Sequence, residues 1–355
     1  MRRTPAAAVA LLILWVTAAV GLAIAGAPAA AVPPFVNLPA DQGAHPAAGN
    51  EWWYTVGHLD ADGRRFGFEI ALYRFTVDGV GVNRGDVAIT DVGANRFHQS
   101  VQFSNDAPGS TNALDVTAGM ASLRGSSPAD MHLVGATADG STLDLHLTSL
   151  DPPLPASAQG FVPLGNGFSY DYSLANVRVS GSLRIDGTDH AVTGVAWQEH
   201  QWGDWSWDSV SGWTYMTIQL DHHTQLALSD HKAGRPQATL RRGKGTIKIA
   251  TDVQITPTGS WKSPHSGAVY DSGWKVRIPT LGITLRVDPE IKDQELSTPN
   301  QGPVFRYWEG TATAKGIIGR TRAAGNAYVE LLVPPNGNAG GGTGPGGAGD
   351  LTGLT

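Results

Sequence analysis

Cysteine is missing from the 355 residues of this chain. Its absence excludes a disulfide framework and every metal site built from thiolates. A chain of this length can bury enough apolar surface to be stable without either, and its length alone favours two domains. The stability of the fold must therefore come from the packing of its core.

The chain also lacks a large excess of positive or negative charge. Lys and Arg number 25, Asp and Glu number 31, and the formal net charge is only -6. The two signs are interspersed, so no basic stripe could follow a phosphate backbone. We therefore expect no nucleic acid partner.

Several short catalytic motifs are absent as well. The chain has no GxSxG turn for a serine nucleophile, and the glycines near Gly340 are not followed by a helix that could bind phosphate. The His222-His223 doublet lies in an expected hairpin turn where its side chains point apart, and no HExxH pair of zinc ligands occurs. We predict no metal site and no cofactor.

Long apolar runs are confined to the N-terminus. Two arginines precede an apolar run from Ala6 to about Ala25 and then small residues, a pattern typical of an export signal. Residues 1–31 are the predicted signal peptide; the alternative is an uncleaved anchor, because the run approaches the ~20 residues that span a bilayer. Either way we expect a secreted or cell-envelope protein. The Gly-rich residues 334–355 are predicted to form a disordered tail.

The chain is rich in alternation of apolar and polar residues with a period of two. The run from Phe66 to Phe75 is one example, and similar runs recur as far as Leu332 between turn residues. Long helical periodicity is missing, and the 45 glycines suit the bends and bulges of barrels. We predict an all-β protein of two antiparallel β-barrel domains packed together.

Two segments resemble each other and set the predicted domain boundary. Trp52-Trp53-Tyr54 and Trp213-Thr214-Tyr215 each begin an expected strand that is followed by a turn, which suggests an internal duplication. We assign residues 32–208 to the N-terminal barrel and residues 209–333 to the C-terminal barrel.

Tryptophans are concentrated in one short segment. Within seventeen positions lie Trp197, Trp202, Trp205, Trp207 and Trp213. Tryptophan offers a rigid apolar wall, one N–H donor and a π face that attracts cations. On a strand, His200 and Trp202 share one face and Glu199 points to the other. The segment is either a ligand pocket at His200 and Trp202 or a packing seam between the barrels, in which Glu199 and Asp204 hold His200 or backbone donors.

A second cluster combines a carboxylate, aromatic rings and an imidazole. It comprises Asn50-Glu51-Trp52-Trp53-Tyr54 and His58. It is either part of a ligand site or a plug at the bottom of a barrel, with Glu51 buried and hydrogen-bonded.

Four ordered motifs resemble a known family. They are Gly49-Asn50-Glu51-Trp52-Trp53-Tyr54-Thr55-Val56-Gly57-His58-Leu59 with Asp62-Gly63 and Phe66-Gly67-Phe68, Gly194-Val195-Ala196-Trp197-Gln198-Glu199-His200-Gln201-Trp202-Gly203, Trp261-Lys262-Ser263-Pro264 with Gly267, Tyr270 and Trp274, and Tyr307-Trp308-Glu309-Gly310 with Gly325 and Tyr328-Val329-Glu330-Leu331. In this order they resemble the acyclic carotenoid 1,2-hydratase and secreted lipocalin-like (AttH-type) family, over about residues 36 to 333.

The resemblance implies lipocalin-like barrels with a ligand site near their interface. Relatives include hydratases of acyclic carotenoids and of plant phytoalexins and fungal pericyclases, and some are encoded beside ABC exporters. His200 and Trp202 match the family's His-x-Trp, and Glu199 stands where Asp commonly precedes that His. The Tyr of the carotenoid hydratases is missing near Leu228, whereas Asp230 stands in for the nearby Asp thought to supply the proton.

The predicted function is binding of an apolar unsaturated ligand, an isoprenoid, polyene or lipid. Hydratase-like lyase or isomerase chemistry would begin with protonation of an alkene by a carboxylic acid kept neutral in apolar surroundings. The alternative is a non-catalytic lipid carrier or an accessory protein of an ABC exporter, associated with a membrane or the exporter. The predicted catalytic residues are Glu199, His200 and Asp230, and the predicted ligand-binding residues are Glu51, Trp52, Trp53, Tyr54, His58, Trp202, Trp213 and Trp308.

Overall fold

The computed structural model covers most of the chain between its two ends. It describes residues 36–77, 80–105, 109–157, 159–221, 223–232, 234–296 and 306–333. The predicted signal peptide (1–31), the predicted tail (334–355) and His222 lie outside these residues. Among the residues that the structure describes, no helix is long and apolar enough to cross a membrane.

The first sheet contains twelve strands in the described part of the chain. They are β1 (Asn50–Ala61), β2 (Arg64–Val77), β3 (Val80–Asp91), β4 (Arg96–Ser104), β5 (Leu114–Ala118), β6 (Ala121–Ser127), β7 (Asp130–Ala136), β8 (Thr142–Ser149), β9 (Leu154–Pro155), β10 (Phe161–Leu164), β11 (Gly167–Ile185) and β12 (Thr188–Asp204).

The first sheet curls into a nearly closed barrel. Its order is β4-β3-β2-β1-β12-β11-β8-β7-β6-β5, with β9 and β10 beside β11. Near the two ends of this order, β3 lies against β5. The contact is so close that a Cβ at Gly85 would stand only 2.0 Å from the carbonyl oxygen of Ala118. The absence of a side chain at Gly85 permits this approach.

The second sheet and a small ribbon follow in the chain. The strands are β13 (Trp213–Leu220), β14 (Thr224–His231), β15 (Gln237–Arg242), β16 (Lys248–Ala250), β17 (Gln254–Pro257), β18 (Ser260–Lys262), β19 (Val269–Asp271), β20 (Trp274–Ile278), β21 (Ile283–Pro289), β22 (Glu295–Leu296), β23 (Arg306–Ile318) and β24 (Thr321–Val333). The sheet order is β16-β15-β14-β13-β24-β23-β21-β20-β17, with β22 beside β23, and β18 and β19 form the ribbon.

The second sheet curls as a half-barrel. Together the two sheets confirm the predicted fold class, all-β with two packed lipocalin-like antiparallel barrels. Three short 3-10 turns, Ala40–Gln42, Trp207–Ser209 and Pro279–Leu281, accompany the strands in the described residues. The predicted boundary at 208/209 falls within the second turn, which connects the two sheets. The assignment of separate domains stays a prediction.

The burial pattern of the strands shows where the two sheets meet. β20 and β21 alternate between buried and exposed side chains, as expected for strands with one face in water. In β1, by contrast, eleven of the twelve positions are buried, and eight consecutive positions of β12 are buried as well. These two strands are covered on both faces, on one side by the barrel core and on the other by the second sheet.

The two segments predicted to be counterparts occupy equivalent places. β1 pairs with the next strand in the chain, β2, and with the last strand of its sheet, β12. In the same way, β13 pairs with the next strand, β14, and with the last strand of the second sheet, β24. The turn after β1 contains Asp62 and Gly63, both with positive φ, which is the geometry of a two-residue type I′ hairpin.

Candidate active site

β1 and β12 carry chemical groups on both of their faces. Trp53 lies opposite His200 in the antiparallel register, and Tyr54 lies opposite Glu199. Because side chains alternate along a strand, the first pair points into the barrel and the second pair points toward the second sheet. The predicted site residues are thus divided between two separate places.

Inside the barrel, Glu51 is the centre of a hydrogen-bonded network. Its side chain is wholly buried, and its Oε1 lies 2.9 Å from Nδ1 of His45 and 3.0 Å from Nε2 of His200. Nε of Arg74 donates to Oε2 at 3.3 Å. Burial alone would raise the pKa of Glu51, but hydrogen bonds from His200 and His45 lower it to about 2. This arrangement corresponds to the plug hypothesis.

Aromatic rings surround this network. Trp53 stacks on His200 with ring centroids 4.5 Å apart, and Trp202 stacks on His45 at 4.0 Å. The predicted pair of His200 and Trp202 is brought together at 4.8 Å. Because His200 is fully buried by its neighbours, the site inside the barrel is packed with side chains.

A cavity lies on the other face of β1, between the two sheets. It is lined by Trp52, Tyr54, Tyr73, Phe75, Arg84, Trp207, Trp213, Tyr307, Glu330 and Leu332. About 20 Å³ is free for the centre of a water molecule, so the cavity as it stands holds about one water. Its walls are mainly aromatic.

The tryptophans of this cavity pack on one another across the sheets. Trp52 of β1 lies 6.4 Å from Trp213 of β13 between ring centroids, and Trp205 meets Trp52 edge-on at 5.4 Å. Trp207 is held in place by its indole N–H, which donates to Oδ1 of Asn50 at 2.7 Å. The seam of tryptophans between the barrels is therefore present, and it encloses the cavity.

Two carboxyl groups at this seam have strongly raised pKa values. Burial raises the pKa of Glu199 to about 7, although hydrogen bonds from Tyr215 and Trp52 act to lower it. Burial and the charge of Glu199 raise the pKa of Glu330 to about 8, although a hydrogen bond from Trp213 acts to lower it. Glu330, the group with the higher pKa, holds its proton at neutral pH, and it lines the cavity.

The strand register places a third acidic group, Glu309, beside Glu330. Glu330 of β24 lies directly opposite Glu309 of β23, and two ionised carboxylates in such a pair repel each other. The hydroxyl of Tyr54 donates to Glu309 at 2.8 Å. Burial and the charges of Glu330 and Glu69 raise the pKa of Glu309 well above its usual value.

Part of the cavity wall is polar and charged. Arg84 donates two hydrogen bonds to Asp86, at 2.7 and 2.6 Å. The hydroxyl of Tyr307 donates to Asp86 and accepts a hydrogen bond from the hydroxyl of Tyr73 at 3.3 Å. A substrate oxygen placed here would meet both donors and acceptors.

Three predicted residues lie away from the cavity and from the barrel network. Asp230 pairs with Lys232 at 3.1 Å and is on the face of β14 that carries the core of the second sheet. Trp308 lies in that core, its indole N–H donating to the carbonyl of Lys292 at 2.7 Å. His58 faces the second sheet, where burial and the charge of Arg65 lower its pKa to about 3.

Sequence reasoning missed most of the acidic groups at the seam. The missed carboxyl groups are Glu69, Asp86, Asp171, Glu309 and Glu330. Glu69 and Glu330 each interrupt an otherwise apolar run within their strand, a pattern that indicates a buried polar group or a second covered face. Without knowing that the second sheet covers β1, β2 and β12, this pattern cannot be distinguished from ordinary outward-facing residues.

Comparison with known proteins identifies the family. The family model of the AttH-like proteins matches residues 29–333. The chain belongs to the AttH-like family. The resemblance inferred from the four motifs is therefore confirmed.

Two solved structures are similar to this AttH-like protein. One, described as AttH and from Nitrosomonas europaea, is 27% identical, covers 85% of this chain and 98% of its own, and has a TM-score of 0.74. The other is kievitone hydratase from Nectria haematococca, 19% identical, covering 84% of this chain and 93% of its own with a TM-score of 0.73, a likeness that shows the fold. No curated protein matches the sequence.

Proposed function

We propose that this AttH-like protein is a hydro-lyase that adds water to a carbon–carbon double bond of an apolar substrate, in the cavity between the two sheets. The observation that carries the proposal is Glu330, a carboxyl group with a pKa of about 8 that lines a cavity walled by aromatic rings. An alkene is a weak base, so its protonation needs a positioned, neutral carboxylic acid.

The reaction can be written with Glu330 as the only proton carrier. The carboxylic acid of Glu330 gives its proton to one alkene carbon, and the π electrons form the new C–H bond. Water then attacks the cationic carbon, and the resulting oxonium returns one proton to the Glu330 carboxylate. The enzyme is restored, and the net change is addition of one water.

The aromatic walls suit the intermediate of this reaction. The faces of Trp52, Trp213 and Tyr73 offer negative π density, which attracts a nearby positive charge. Glu199, predicted as the acid from sequence, does not line the cavity; its charge raises the pKa of Glu330 and so keeps the proton in place. Glu199 is thus a positioning residue in this scheme.

The polar part of the cavity wall suggests the substrate class. Tyr73, Tyr307 and the Arg84–Asp86 pair can bind an oxygen atom of the substrate. The aromatic part accepts the unsaturated hydrocarbon. We therefore propose an isoprenoid or polyene that carries a hydroxyl or carbonyl group.

Substrate entry requires side chains to move, because the cavity holds about one water. Trp207 is half-buried and lies on the connection between the sheets, so displacement of its ring would widen the cavity from the outside. The name of the Nectria relative, a hydratase with the same fold, supports the reaction type. We also propose export from the cytoplasm, supported by the two arginines and the apolar run at the N-terminus.

The test is incubation of the purified protein in D₂O with an isoprenoid and lipid extract of its source cells, followed by mass spectrometry. We expect a product that has gained one water and retains one deuterium on carbon after return to H₂O. The E330Q variant should lose this activity, whereas D230N, on the other face of the second sheet, should keep it.

Other outcomes separate the alternatives. Full activity of E330Q would remove Glu330 from the mechanism. A product of unchanged mass with deuterium on carbon would indicate an isomerase, which uses the same protonation without capture of water. An unchanged compound that remains bound to the wild-type protein would favour the lipid carrier.

A further inference from the structure

We propose that His45, Glu51 and His200 form a binding site for one divalent transition-metal ion such as Zn²⁺, inside the first barrel. One ligand atom from each residue lies within 4.8 Å of the other two. Zinc bound tetrahedrally at about 2.0–2.1 Å holds its ligand atoms roughly 3.3 Å apart. Small outward shifts from the observed 2.9 and 3.0 Å separations would admit the ion.

The orientation of the His200 ring supplies the first argument. Its Nδ1 lies 2.9 Å from the carbonyl oxygen of Asp41, and a carbonyl only accepts hydrogen bonds, so Nδ1 carries a hydrogen. In the neutral ring, Nε2 then directs its lone pair at Oε1 of Glu51, 3.0 Å away. Two lone pairs at this distance repel each other unless a cation lies between them, either a second proton or a metal ion.

The surroundings of both histidines supply the second argument. Histidines that bind metals usually direct their other ring nitrogen at a carbonyl or carboxylate, which fixes the ring. Asp41 lies beside both rings: its carbonyl accepts from Nδ1 of His200 at 2.9 Å, and its carboxylate Oδ1 is within ion-pair distance of Nε2 of His45, at 3.6 Å. The remaining nitrogens, Nδ1 of His45 and Nε2 of His200, both point at Glu51.

Rigidity and access also suit a metal ion. The stacked rings of Trp53 and Trp202 hold the planes of the two imidazoles. Glu51 and His200 are fully buried, but the side chain of His45 is 24% exposed and leaves a route for the ion. Two nitrogens and one carboxylate oxygen match the ligand preferences of Zn²⁺, and a water that enters with the ion would supply the fourth ligand.

This site is separate from the proposed acid site. His200 and Glu199 are neighbours in the chain but lie on opposite faces of β12. The spacing of histidines close in sequence predicted no metal site, because His45 and Glu51 are six residues apart but His200 lies 149 residues beyond Glu51. Metal binding and alkene hydration can therefore be tested, and can fail, independently.

The experiment is a titration of the chelator-treated protein with Co²⁺, whose visible bands report tetrahedral coordination. The described residues contain one further group of this kind, the more exposed His132, Asp144 and His146, so the titration uses a background variant with H132N and H146N. We expect one Co²⁺ per chain in this background, displaced by Zn²⁺, and loss of binding in H200Q and in H45Q.

H45Q is the variant less prone to misfold, because His45 is partly exposed and its replacement leaves the buried pair of Glu51 and His200 intact. Circular dichroism checks that each variant is folded. Binding in the wild type but not in the background variant would assign the metal to the surface group and overturn the proposal. Absence of binding in both, with ¹⁵N resonances showing two protonated nitrogens in His200, would show that a second proton occupies the position.

Discussion

Glu330 shows how much a side chain depends on its neighbours. In a strand on its own, a glutamate between Val329 and Leu331 would face water and ionise with an ordinary pKa of 4.5. Here burial and the charge of Glu199 keep its proton on at neutral pH. The acid is made by the docking of two sheets and not by the local sequence.

The variant E199Q tests the division of roles between the two acids. Removing the charge of Glu199 should lower the pKa of Glu330, because that charge raises it. The activity should therefore persist, and the alkaline limb of its pH profile should move to lower pH. The measurement is turnover between pH 5 and pH 9, with D230N as the control that leaves the limb unchanged. Complete loss of turnover in folded E199Q would instead make Glu199 the proton donor.

At the level of single residues, the sequence predicted some contacts and not others. Alternation along one strand was enough to place His200 beside Trp202 and to turn Glu199 away from them. It could not show that Glu51, 149 positions before His200, would lie 3.0 Å from its ring nitrogen. Nor could it show which outward faces a second sheet would cover.

At the level of elements, a close approach of β2 to β23 depends on one glycine. A Cβ at Gly67 would lie 2.6 Å from Cβ of Thr311, far inside normal contact. Thr311 is fully buried, and its hydroxyl donates to Glu290 at 2.6 Å, so it has little freedom to move aside. The two sheets can lie this close only because position 67 has no side chain.

The variant G67A should therefore be less stable by about 1–3 kcal/mol, the usual cost of forcing extra atoms into a packed contact. The control is G93A, in the turn after β3, where the nearest atom to the new Cβ is Oδ1 of Asp91 at 3.5 Å. Urea denaturation measures both. Equal midpoints for the two variants would mean that the sheets are not held in this contact.

The strands themselves were largely predictable, because period-two alternation and Asp-Gly turns are local features. The predicted turn after β1 forms at Asp62 and Gly63, and the two Trp-containing segments begin equivalent strands. The pairing of β12 with β1 joins residues more than a hundred positions apart. Such long-range pairing has no local pattern, which is why the site could be assigned to strands but not assembled from them.

At the scale of the whole molecule, the acids of the seam link protonation to folding. Glu330 titrates at about 8 in the folded chain and near 4.5 when unfolded, so the folded state binds the proton more tightly. Its contribution to stability is complete below pH 4.5 and is lost as the pH rises through 8. The loss amounts to about 1.4 kcal/mol for each unit between the two pKa values.

The most direct measurement of the central claim is the free energy of unfolding of the wild type and E330Q in urea, from pH 4 to pH 9. Glutamine cannot lose a proton, so we predict that the stability of E330Q relative to the wild type rises steadily between pH 4.5 and pH 8 and is constant above it. The exposed-residue control D208N should show no such rise. A difference between E330Q and the wild type that stays flat or falls with pH would mean that Glu330 is ionised in the folded protein and cannot be the acid.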